Sequence, residues 1–160
     1  MSPATHRLAL VALLVLAAGP APAGEEGTDC APLVAVLDHA PARYAPLAGT
    51  EYSTRFDARR ATTTLPGFDS CWVDDVTRSF WCLRQSPSPA EAGRSAAAQA
   101  EIVERCWPGV PTRQDIERGD DGVTRLIQDW MVRGGTRLRL VQRKPTTGTT
   151  GLGSVFLYLY

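Results

Sequence analysis

The chain contains no asparagine and only one lysine, Lys144, against sixteen arginines. Without Asn there is no N-glycosylation acceptor. Alanine, glycine, proline and arginine abound by contrast, which points to a GC-rich bacterial genome, so arginine abundance by itself is no argument for anion binding. An excess of one charge is missing too: 17 basic residues stand against 17 acidic ones. Nucleic-acid binding would need a clustered basic excess, so no nucleic-acid partner is expected.

Histidine is nearly absent, with only His6 and His39 in the chain. Ser-His-Asp chemistry would have to use His39, and no G-x-S-x-G elbow accompanies it. Its place at the end of a predicted helix suits contact with the last carbonyls there. Close-set Cys pairs of the zinc-binding kind are also missing, as are the P-loop and G-x-G-x-x-G patterns within the glycine-rich stretch Gly148–Gly153. The acidic stretch Asp115–Gly122 lacks the residue order of a calcium loop, and Arg118-Gly119-Asp120 is too short to carry an argument. The visible carboxylate pairs, Asp74-Asp75 and Asp120-Asp121, fall in predicted turns, where Asp bonds locally. No catalytic residue, metal ligand or cofactor is assigned.

What the sequence does contain begins with a targeting pattern. His6 and Arg7 precede the apolar run Leu8–Ala18, and Ala21-Pro22-Ala23 offers a small-x-small cleavage site. Residues 1–23 are read as a signal peptide cleaved before Gly24. The run falls short of the ~20 apolar residues of a spanning helix, and no later segment is apolar enough to cross a membrane. A periplasmic or secreted product of residues 24–160, forming one domain, is expected.

All four cysteines follow the cleavage site, and an even number in an exported chain reads as disulfides. Cys71-Trp72-Val73 and Phe80-Trp81-Cys82 mirror each other about the polar stretch Asp75–Arg78. Folded there as a hairpin, Cys71 faces Cys82, Trp72 faces Trp81 and Val73 faces Phe80. Directly opposed antiparallel residues have Cβ atoms about 4.5–5.5 Å apart, close to what a bridge needs. Cys71–Cys82 and Cys30–Cys106 are therefore the favoured pairs.

A first helix is expected from near Asp29, capped by Thr28 or Asp29, with Cys30, Leu33, Val34 and Leu37 on one face and Pro41 ending it. Strands are expected over Glu51–Ala58 and Ala61–Leu65, followed by the Cys/Trp hairpin. Ser88-Pro89-Ala90-Glu91 is a capping box opening a second helix, with Ala92, Ala96, Gln99, Val103 and Cys106 on its packed stripe and Pro108-Gly109 as its stop. Val110–Gly122 reads as a polar loop. Three further strands follow, Val123–Val132, Thr136–Arg143 and Ser154–Tyr160, with Trp130 opposite Leu138. No internal repeat is visible. The class is α+β: an antiparallel sheet of five to seven strands, two helices on one face and two disulfides.

Alternation in the last strands divides that sheet into two unlike faces. Leu138, Leu140, Val155, Leu157 and Leu159 fall on one side, the expected core. Arg137, Arg139, Arg143, Phe156, Tyr158 and Tyr160 fall on the other, joined by Trp72 and Trp81. Such a surface can grip a partner, whereas plain cross-strand packing of Arg over rings would need none. The leading expectation is a non-enzymatic module binding another envelope protein, as an inhibitor, immunity protein or accessory factor would. A carboxylate-dependent cell-envelope hydrolase, which needs two carboxyl groups ~5–9.5 Å apart, and a structural or stress protein without a fixed ligand are the alternatives.

Overall fold

The computed structural model describes residues 30–110, 112–145 and 152–160. The expected leader and the caps Thr28 and Asp29 lie outside the described residues.

Among the described residues eight strands, all paired antiparallel, form one sheet in the order β1-β2-β3-β4-β8-β7-β6-β5. They are β1 (Ala48–Ser53), β2 (Ala58–Ala61), β3 (Ser70–Asp74), β4 (Ser79–Ser86), β5 (Thr112–Arg118), β6 (Val123–Met131), β7 (Arg137–Pro145) and β8 (Gly153–Leu159). Helices α1 (Ala31–Leu37) and α2 (Pro89–Cys106) each precede a set of four strands. The order helix-then-four-strands thus occurs twice, and each set runs from a sheet edge to the centre, where β4 meets β8. No repeat of residues announces this repeat of form.

The cysteine hairpin adopts the mirror register, with Cys71 opposite Cys82, Trp72 opposite Trp81 and Val73 opposite Phe80. Both disulfides form as the spacing suggests, Cys71–Cys82 and Cys30–Cys106. Asp74 accepts the backbone N–H groups of Val76 and Thr77 at 2.8 and 2.9 Å and so shapes the turn between the two strands. The second bridge ties the residue that begins α1 to the last residue of α2.

Helix α2 starts where its capping residues place it. Ser88 Oγ accepts the Glu91 N–H at 3.2 Å and Pro89 takes the first helical position. The reciprocal half of the box is not made: the Glu91 carboxylate faces Arg84 instead, 3.9 Å away. Ala92, Ala96, Ala100 and Val103 are buried, while Gln99 is half-buried and donates to the Pro66 carbonyl at 3.2 Å. On α1, Val36 is buried with Leu33 and Leu37, and Val34 only partly so.

Three expectations fail locally. The count of five to seven strands is too low, because Thr112–Arg118 is a strand and not a loop. It is an edge strand whose described side chains are almost all exposed, so no apolar alternation marks it. The strand expected over Glu51–Ala58 breaks at Thr54, and Thr54–Asp57 turn the chain into β2. Asp57 takes the left-handed conformation there (φ 50°), which Asp tolerates better than most residues. Of Ala61–Leu65, only Ala61 is strand.

The core lies between the helices and one sheet face. Leu33, Val36 and Leu37 of α1 and the buried alanines of α2 meet Val73, Phe80, Trp130, Leu138, Leu140, Leu157 and Leu159 in one apolar cluster. Helix α2 crosses β7, β8 and β4. Among the described residues no helix covers the opposite sheet face.

Candidate functional site

The uncovered face carries the candidate site. In a strand, alternate side chains share a face. The inward packing of Leu138 and Leu140 therefore turns Arg137, Arg139, Val141 and Arg143 outward, and that of Val155, Leu157 and Leu159 turns Phe156, Tyr158 and Tyr160 outward. The disulfide points the Cys pair into the core, which leaves Trp72 and Trp81 on the outer side. All eight residues singled out in the sequence thus lie on one face.

Six rings run across it in unbroken contact. Phe56 lies 5.0 Å from Trp72 and 5.3 Å from Trp81 between ring centres. Trp81 lies 6.3 Å from both Phe156 and Tyr158, and Tyr158 stacks with Phe156 and with Tyr160 at 5.9 Å each. Such offset and tilted pairs contribute about 0.5–1.5 kcal/mol each beyond the area they bury.

The two ends of this row differ in access. Trp72 and Trp81 are only 6% and 7% exposed, because Phe56 and Ala58 pack over them. They form the floor and support of the face and offer little contact area. Tyr160, at 47%, is open, and Phe156 and Tyr158 are half-buried. Burial pushes the Tyr158 hydroxyl up to about 12, so it stays a neutral O–H at ordinary pH.

The arginines are organised by two carboxylates. Asp129 accepts a fork from Arg139 at 2.8 and 3.0 Å and a further bond from Arg137 at 2.6 Å. Burial pushes the Asp129 carboxyl up, but the bonds and charges of Arg139 and Arg137 outweigh it and hold the group below the usual range. Asp121 pairs with Arg125, and Arg143 lies 3.7 Å from the same carboxylate. The Arg143 guanidinium also sits 5.6 Å from the centre of the Phe156 ring, within cation–π range.

Phe56, Asp129 and Asp121 were not foreseen as part of this face. Asp129 was within reach, since a register that sets Trp130 opposite Leu138 also sets Asp129 opposite Arg139. Phe56 was hidden by the turn that its segment does not announce.

Elsewhere the carboxylates have local duties. Asp75 binds Arg59 through two bonds at 3.0 and 2.8 Å, and Asp121 accepts the Val123 N–H at 3.1 Å. His39 follows α1, and its backbone N–H, not its ring, reaches the Val36 carbonyl at 3.1 Å. On the helix side a cleft of about 420 Å³ opens between α2 and β5–β7, with Ala96, Ala100, Ile116 and Leu140 in its walls and Glu101 and Glu104 at its margin. Among the described residues no helix is long and apolar enough to cross a membrane, and two disulfides suit an oxidising environment. Compared with protein-family models, with curated proteins and with solved structures, the chain finds no match.

Proposed function

We propose that this protein is an exported, non-enzymatic binding module that docks another envelope protein through the outer face of its sheet. The observation that carries the reading is the row of six touching rings beside a rank of arginines, on a face that no helix covers among the described residues. Aromatic and Arg side chains dominate binding energy at protein interfaces, and a rigid sheet loses little freedom when they are engaged. Catalysis has less support: Asp74 and Asp121 shape turns, Asp75 and Asp121 pair with arginines, and His39 engages α1 through its backbone N–H. The signal peptide read at residues 1–23 and the two disulfides support a place of work outside the cytosol, in the periplasm or beyond.

Site-resolved photocrosslinking tests this. A benzophenone amino acid placed at Tyr160 or Met131, both exposed on the outer face, should trap one discrete partner in the envelope of the native host. The same probe at Ala97, on the exposed side of α2, should not. Trapping from Ala97 alone, or from none of the three sites, overturns the proposal.

A further inference from the structure

Strands β6 and β7 set two arginines directly opposite each other on the outer face, Arg125 and Arg143. Like charges in that position repel. A single carboxylate, Asp121, stands against both, and it favours Arg125: the hydrogen bond goes there, while Arg143 is left at 3.7 Å. Glu117 is the opposite neighbour of Arg125 on β5. On β8 it is Ser154 that faces Arg143.

The same imbalance holds for the group. On β6 and β7 the outer face presents Arg125, Arg137, Arg139 and Arg143, four cations, against Asp129 and the adjoining Asp121, two anions. Adding β5 contributes Arg113 on one side and Asp115 and Glu117 on the other, giving five against four. Of these five arginines, Arg143 alone has no hydrogen bond to a carboxylate among the described residues: it stands 3.7 Å from Asp121, half-exposed beside Phe156. The whole chain, by contrast, carries no net charge.

We infer that Arg143 seats an acidic side chain of the docked protein, one whose neighbouring apolar group lies over Phe156 and Tyr158. This rests on the proposed docking face and names the chemistry that the face selects. A carboxylate there completes the shared Arg125–Asp121–Arg143 set, so that each guanidinium has its own anion. Desolvation by the rings strengthens the pair relative to water, and a guanidinium is suited to binding a carboxylate through two bonds.

Two small probes test the inference on the intact, disulfide-bonded chain: phenylacetate, and phenylacetamide, which keeps the ring and removes the charge. NMR of the arginine side-chain N–H groups at low salt should show phenylacetate shifting Arg143, with apparent affinity at least ten-fold above that of phenylacetamide. Arg143→Gln should bring the two probes within two-fold of each other. Arg60→Gln, a charge removed from β2, should leave the ten-fold preference in place. Equal response to both probes, no response at Arg143, a preference that survives Arg143→Gln, or its loss in Arg60→Gln would each overturn the inference. Any of these beside a positive crosslink from Tyr160 leaves the docking face standing with another chemistry. Failure of the crosslinks removes the face itself.

Discussion

Gly153, the first residue of β8, lies so close beneath the start of α2 that a Cβ on it would stand 2.6 Å from the Ala92 side chain. The same atom would be 2.9 Å from the Ser88 carbonyl oxygen and 3.1 Å from the Pro89 Cα. Two of these three neighbours are backbone, so the helix start cannot yield without moving. Gly153→Ala is expected to destabilise the fold by about 1–3 kcal/mol, the usual cost of overpacking. Urea unfolding checks it; a loss below about 0.5 kcal/mol would mean that α2 shifts freely.

The Cys30–Cys106 bridge closes a separation of 76 residues and the Cys71–Cys82 bridge one of 11. In the chain-entropy model the longer loop stabilises by about 4–5 kcal/mol and the shorter by about 3. The double replacement Cys30→Ala/Cys106→Ala should therefore cost more than Cys71→Ala/Cys82→Ala in equilibrium unfolding. The reverse order would show that burial of the inner pair outweighs loop length.

Asp129 provides a pH signature. Its folded carboxyl is held below the unfolded value by Arg139 and Arg137, against the opposing push of burial. A depressed carboxyl stabilises the fold above its unfolded value, near 3.9, and that contribution disappears as pH falls through the folded value. Asp129→Asn should cost about 1–3 kcal/mol at pH 7, as expected for lost bonds to a charged group. The gap between wild type and variant should then narrow below about pH 4. Stability curves from pH 7 to pH 2 decide; a gap constant with pH would refute the electrostatic account.

Phe56 shields two tryptophans at once, and its removal should be visible in fluorescence. Phe56→Ala is expected to raise acrylamide quenching and shift the emission to longer wavelength, as Trp72 and Trp81 meet water. Trp130, 1% exposed in the core, should not contribute to the change. The stability loss should be about 1–3 kcal/mol, for a partly buried ring and two aromatic contacts. Unchanged quenching would mean that the β1–β2 turn does not cover the pair.

The parts of this fold that could be read in advance are those where one local signal has one geometric meaning. The mirrored run around Asp75–Arg78 admits one hairpin register, and with it one disulfide partner for Cys71. Ser88-Pro89-Ala90-Glu91 fixes a helix start by its own hydrogen bonding. Strand β5 gave no such signal, because Arg113, Asp115 and Glu117 face solvent at a sheet edge and neither side of the strand needs to be apolar. The Thr54–Asp57 turn has no Gly, Pro or Asn to mark it. Six of the eight outer-face residues were legible from alternation in the last strands, and Trp72 and Trp81 from the inward-pointing Cys pair of their hairpin. Their unequal access was not, since it depends on Phe56 arriving from a turn far along the sheet.

Strand β8 joins the two halves of the sheet, pairing with β4 on one side and β7 on the other. In chain order it comes after every element it joins. Until it is in place, β4 and β7 each present an open edge toward the centre, and the row of rings ends at Trp81. The continuous sheet, and with it the row of rings from Phe56 to Tyr160, therefore forms only when β8 enters between β4 and β7. Strand β8 is thus a keystone, and the outer face closes only around it.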